Sequence, residues 1–274
     1  MTMQLSLRER VPVDRIASGR EALGEAVPRR ALRRLIVTEA RLAVREPAGL
    51  VWGIGLPVLL LVIFGNIPKF NLPADKFGGE RPLDIYLPIL CAMVLSMLGL
   101  FSIPGPLATY REQGVLRRMA TTPVSPAAVL AAQLVVNLML AAIALGLILV
   151  IGTTAFGLSA PQQPFGFLLA LALTAVALFG LGLWVAAVAT TGRAAQAIAG
   201  AFFFPLEFLA GLWVPRQIMP AGLRDVSDYT PLGSAVQALQ DSMSGTFPSA
   251  RALLVLVAYA VVFGYGAVRM FSWE

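Results

Sequence analysis

Two long apolar runs, residues 85–104 and 127–156, flank a short polar island, YREQGVLRRMATTPVSP at 110–126, and no other feature constrains the fold as much. A helix of about 20 apolar residues spans the hydrocarbon core of a bilayer. The island carries Arg111, Glu112, Arg117 and Arg118, charges that are costly in hydrocarbon, so it sits in water at one membrane face. Three arginines against one glutamate favour the cytoplasmic face, where Lys and Arg accumulate in short loops. Two readings of the island stay open: a loop that only sets topology, or a segment that passes force from a soluble partner to the membrane.

Composition agrees with a multi-span chain, at 58% hydrophobic and 13% charged residues with a mean hydropathy of +0.78. The net charge of +6 raises the question of nucleic acid. Residues 1–46 hold ten arginines and six acids with no aromatic residue among them, which fits a positive-inside flank rather than a nucleic-acid surface. The chain has no His and one Cys, Cys91, which excludes an intrachain disulfide and a His/Cys zinc site. The first long apolar run starts near Ala48 after a long charged leader, so no cleavable signal peptide is expected.

Taken in order, residues 1–28 read as a flexible cytoplasmic arm. Over 29–46 the helical wheel places Leu32, Leu35, Ile36, Ala40, Leu42 and Ala43 on one face and Arg30, Arg33, Arg34, Arg41 and Arg45 on the other. That is an interfacial helix on an anionic leaflet, with Glu39 on its apolar face in need of a partner. Six spans follow, at about 48–67, 85–104, 126–153, 165–190, 194–214 and 250–271. Pro57 kinks the first; Pro104-Gly105-Pro106 breaks the chain after the second. A short helix from Tyr110 to about Ala120 is expected, capped by Thr109, and Ser125-Pro126 opens the third span. Between the last two spans, 215–249 holds two helices too short to cross, one from Pro220 to Val226 and one from Pro231 to Gly245. They predict a re-entrant hairpin on the outer side. The expected fold is thus an all-α membrane protein of six transmembrane helices, with an amphipathic leader and this hairpin. Both termini are then cytoplasmic, with 15 Lys and Arg inside and 6 outside.

Two side chains inside spans attract attention. Glu207 is the only ionisable group well within one, beside Phe204 and Phe208. It reads either as facing a central path and binding a cationic amphipathic substrate, or as a structural acid bonded to a neighbouring helix. Asn137, four residues after Gln133, is read as helix packing or as a substrate contact. No G-x-x-x-x-G-K-[ST] motif occurs and the only lysines are Lys69 and Lys76, so the chain has no P-loop; without His or a paired carboxylate in a span it is not expected to be an enzyme.

The island (REQGVLRRMATTPVSP) resembles the cytoplasmic loop of ABC-2 type exporter permeases, in its acid, glycine, basic pair and Pro-x-Ser. The later stretch FFFPLEFLAGLWVPRQIMPAGLRDVSDYTPLGSAVQALQ resembles the same family's C-terminal signature through Pro205, Gly211, Pro215, Met219-Pro220 and Pro231. The likeness is nearest to daunorubicin/doxorubicin-resistance permeases and covers the chain from about Arg30 onward. Two positions depart from the pattern: Val115 stands where Thr is common, and Ala132-Gln133 where Gly-Lys or Gly-Arg is common.

The resemblance implies a permease half that pairs with a second copy or a paralogue. Each half docks a separate ATP-binding subunit, which holds the ATP and Mg. Arg111, Glu112, Gly114, Arg117, Arg118 and Glu39 are the coupling candidates; Glu207, Phe204, Phe208 and Asn137 are the substrate-path candidates. The expected cargo is an amphipathic drug or lipid leaving the cell through the plasma membrane. Polysaccharide or glycolipid export, or a non-transporting scaffold or sensor partner, are the alternatives.

Overall fold

The computed structural model describes residues 35–42, 51–114 and 126–270. All regular structure among the described residues is helical. In chain order the helices are α1 (35–42), α2 (Leu56–Gly65), α3 (Pro82–Met97), α4 (Pro104–Glu112), α5 (Pro126–Phe156), α6 (Pro164–Val188), α7 (Gly192–Ala210), α8 (Ala221–Asp228), α9 (Pro231–Met243) and α10 (Ala250–Met270). Two π-helical turns, Val51–Gly55 and Leu98–Ser102, lead into α2 and join α3 to α4. The arm at 1–28 and most of the leader helix lie outside the described residues; α1 is the described part of that leader.

The break expected at Pro104-Gly105-Pro106 is absent. Both prolines fall in the first turn of α4, where their missing N–H groups cost no helix bond, directly after the π turn. Gln196 Nε2 donates to Phe101 O (3.1 Å) within that turn. Pro82 to Glu112 is therefore one apolar helical run of 31 residues. Thr109 caps nothing; its hydroxyl donates to Gly105 O (2.9 Å) inside α4. The helix expected over 110–120 is the tail of this run as far as Glu112, and 115–125 lie outside the described residues.

Four stretches among the described residues are long and apolar enough to cross a membrane: Pro82–Glu112, Ala128–Phe156, Pro164–Val188 and Ala250–Ala267. The first expected span corresponds to a shorter apolar helix, Val51–Gly65. The fifth corresponds to α7, whose 19 residues include Arg193, Gln196 and Glu207 and fall outside that set.

The most apolar 18-residue stretch of the Pro82–Glu112 run is 89% buried and the Ala250–Ala267 stretch 17%, which settles which helix is central. Apolar on all sides, α3 is wrapped by α2, α5, α6, α7 and α9. On the periphery, α5 exposes Leu138, Ile143 and Val150, and α10 exposes Leu254, Val261 and Val262, surfaces suited to lipid. The join between the central run and α6 depends on glycine. A Cβ on Gly182 would fall 2.0 Å from Gly99 O, and one on Gly99 would fall 2.8 Å from Leu178 O. Small residues let membrane helices approach this closely.

Of the two helices in the 215–249 segment, α8 is largely exposed, whereas α9 lies within the bundle against α6, α10, α7 and α3, with Leu232, Val236 and Leu239 fully buried. Thr230 caps α9 by accepting from Gly233 N (3.1 Å), as its Thr-Pro start predicts. The bundle has two ends, one carrying Arg111 and the α6–α7 turn and the other carrying α8 and α9.

Candidate functional site

At the Arg111 end, the functional candidates are drawn into the fold. Arg111 Nη1 donates to Ala187 O (3.1 Å) and its Nη2 to Ala189 O. Ala187 lies in the last turn of α6 and Ala189 caps it, where carbonyls have no intrahelical donor and a cation suits the helix dipole. Glu112 Oε2 accepts from Gly192 N (3.1 Å), the first residue of α7, where an anion suits the opposite pole. Gly114, at φ +66°, turns the chain out of α4, with its N–H on Arg111 O (3.0 Å). Only glycine takes this left-handed conformation freely. Glu39 is half-buried on α1. Arg117 and Arg118 lie outside the described residues.

Near the far end of α7, three residues before its last, Glu207 is fully buried. Ser96 Oγ, on α3, donates to its Oε1 (2.5 Å), with Met93 O as an alternative acceptor (2.9 Å). Glu207 Oε2 has no protein partner among the described residues. Phe204 and Phe208 share α7 but point elsewhere, 60% and 37% exposed. Glu207 thus faces α3, and the two phenylalanines are exposed, Phe204 beside Trp213; the structure does not gather the three into one pocket. Phe204 lies tilted beside Trp213 (ring centroids 6.3 Å) and edge-on to Phe203 (5.5 Å), and Phe203 meets Phe101 of the π turn edge-on (5.2 Å). An aromatic chain therefore links the exposed face of α7 to the centre of the bundle.

Asn137 is buried on α5, its Nδ2 donating to Gln133 O (2.9 Å). Asn137 Oδ1 and Gln133 Oε1 have no protein partner among the described residues. The pair stays together as the spacing predicts, apart from Glu207, Phe204 and Phe208 on α7.

A polar cluster at the other end escaped sequence reasoning. Arg216, 6% exposed, donates through Nη1 to Ser227 Oγ (2.5 Å) and Gly233 O (3.0 Å), and its Nη2 pairs with Asp228 Oδ1. The other Asp228 oxygen pairs with Arg251 Nη2 (2.6 Å), which also donates to Gln237 Oε1 (3.0 Å). Ser227 Oγ donates to Leu209 O (2.6 Å) in the last turn of α7. Asp228 thereby joins Arg216 to the start of α10, while Ser227 ties α8 to the end of α7 and Arg216 reaches α9. No signal singled out this cluster, since the 215–249 segment also carries Arg224, Asp225 and Asp241.

The sequence pattern that defines ABC-2 type transporters matches residues 30–244. The chain belongs to the ABC-2 type transporter family. It is also similar to "Putative transport permease YvfS" of Bacillus subtilis (strain 168), 19% identical over 235 residues that cover 85% of this chain and 93% of that one. As an ABC-2 family member the chain is a membrane-embedded transport permease component, and such permeases work with an ATP-binding cassette partner. The matched region of this ABC-2 chain includes both polar ends of α7 and the aromatic face between them.

Proposed function

We propose that the chain is the membrane-spanning subunit of an ATP-driven exporter that moves an amphipathic small molecule, a drug or a lipid, out of the cell. One observation carries this reading. An exposed face of α7, Ala197, Ala201, Phe204 and Phe208, runs small to aromatic along a helix whose opposite side is buried in the bundle. In a pair of permease chains, two such faces enclose a path with close approach at the alanines and a stacking surface at the phenylalanines. In this reading all six apolar runs cross the membrane. The island docks a separate ATP-binding subunit through Arg117 and Arg118, with Glu39 of α1 beside it. The Arg111 end is cytoplasmic, α8 and α9 close the outer end of the path, and Asn137 sits behind it on α5.

The test is reconstitution of the permease with its ATP-binding subunit in liposomes. Amphipathic compounds should stimulate ATP hydrolysis and be transported, and Phe204→Ala with Phe208→Ala should abolish that stimulation while basal hydrolysis remains. ATP hydrolysis that never responds to any amphipath, with no movement of compound, would indicate a scaffold or sensor instead. A response in the double variant equal to the parent's would remove the aromatic face from the path.

A further inference from the structure

The contacts at the Arg111 end amount to more than a capped helix. Two charged side chains on successive residues of α4 engage opposite sides of the α6–α7 turn: Arg111 the carbonyls that end α6, Glu112 the first N–H of α7. The surfaces between them are in direct contact. A Cβ on Gly192 would fall 2.3 Å from Thr109 Oγ1, and one on Gly105 would fall 2.4 Å from Gln196 Nε2. Ala108, Ala189 and Ala195 form a buried cluster between the same segments. One turn further in, Gln196 of α7 donates to Phe101 O of the π turn (3.1 Å). A hinge has few packed contacts; here the buried alanines and the glycine contacts hold the two segments together, with the Glu112 and Gln196 bonds on the exposed side.

We propose that α4 and the α6–α7 turn move as one rigid unit during the transport cycle. Arg111 and Glu112 are then positioning residues that carry a displacement of the island into α7, rather than contacts with the ATP-binding subunit. The proposal rests on the exporter reading above, and it makes that reading more specific. A push on the segment after Gly114 reaches the base of α7 through two ionic caps and a glycine contact. From there it travels along the helix that bears Phe204 and Phe208. The π turn at Leu98–Ser102 lies just above the junction and is the one irregular stretch in the Pro82–Glu112 run. Helix irregularities of this kind often sit at functional sites, and here the bend of that run is available where α4 meets α3.

The geometry offers a direct test. The position of a Cβ on Gly192 lies 3.6 Å from the Cβ of Thr109, within the separation a disulfide spans. Thr109→Cys and Gly192→Cys are combined in a Cys91→Ala background, and the permease is reconstituted with its ATP-binding subunit. The proposal expects the disulfide to form equally well in the resting and nucleotide-trapped complexes, and the oxidised complex to transport at the rate it shows after reduction. Transport that stops on oxidation and returns with reductant would overturn it, because the two segments would then have to separate in each cycle. Failure of the pair to cross-link in folded protein would overturn it as well.

A second measurement separates positioning from docking. Arg111→Ala with Glu112→Gln should leave the ATP-binding subunit co-purifying and hydrolysing ATP, while transport per ATP falls; Arg111→Lys, able to reach one carbonyl, should restore part of it. Loss of co-purification in the double variant would return these residues to the docking surface. An unaltered parent complex without ATP-driven transport would instead sink the exporter reading, and the cross-linking yields in the two nucleotide states would still report on the rigid unit.

Discussion

Glu207 shows how one residue type acquires its meaning from the direction it faces. An acid inside a span is unfavourable unless paired or wet, and here it is fully buried, with Ser96 donating to one of its oxygens. Its neighbours Phe204 and Phe208 occupy the exposed side of the same helix. Removing the Ser96 hydroxyl leaves a buried acceptor without its donor, which costs about 1–3 kcal/mol. Ser96→Ala is therefore expected to lower the thermal midpoint of the detergent-solubilised permease. Glu207→Gln retains an oxygen for Ser96 and is expected to be milder. Because the carboxyl faces α3, transport of cationic and neutral amphipaths should change to the same extent in Glu207→Gln. A selective loss of the cationic compounds would instead show that the carboxyl reaches the cargo.

Between elements, the carboxylate of Asp228 is shared by Arg216 and Arg251. It ties the end of α8 to α10, while Ser227 ties it to the last turn of α7. Taking away one member of a buried charge cluster leaves the others uncompensated, at a cost of about 3–5 kcal/mol. Asp228→Asn leaves the Arg216 guanidinium buried without an anion and should lower folded yield and thermal midpoint sharply. The double change Arg216→Met with Asp228→Leu, which removes both charges, should recover part of the loss. An Asp228→Asn protein as stable as the parent would show that the cluster is not holding the hairpin.

None of this cluster was legible beforehand, because its members are far apart in sequence and no periodicity marks them. Apolar run length did locate the helices at 126–153, 165–190 and 250–271, since hydrophobicity summed over a window is a robust signal. The proline-glycine stretch after Ser102 misled for a physical reason: prolines in a helix's first turn look like a break when the π turn that accommodates them is invisible in sequence. At the candidate site, Glu207 stood out as an acid in a span. Its direction did not, because it lies only about 60° from Phe204 around the helix, too close for periodicity to separate.

At the scale of the whole molecule, orientation follows from where the basic residues fall relative to the helical ends. The Arg111 end brings together Arg111 and Arg193, with Arg269 near the end of α10. The opposite end holds Lys69, Lys76, Arg81 and the arginines of the hairpin cluster, of which Arg81 pairs with Asp84 (2.8 Å) and Arg216 and Arg251 with Asp228. The ten arginines before residue 47 precede the first apolar helix and add to the Arg111 side if the helices alternate in direction. Lys and Arg in short flanks are retained in the cytoplasm whether or not acids accompany them, so the Arg111 end is expected inside. Gln113 is an exposed position there and Lys76 an exposed one at the other end, which makes both suited to accessibility labelling. In a Cys91→Ala background, Gln113→Cys should resist a membrane-impermeant maleimide in sealed cells and react once the membrane is opened. Lys76→Cys should react in sealed cells. The reverse pattern would invert the molecule, place the hairpin in the cytoplasm and remove the island as a docking segment. Labelling of both positions in sealed cells would put the two ends on one side and reduce the number of spans between them to an even count.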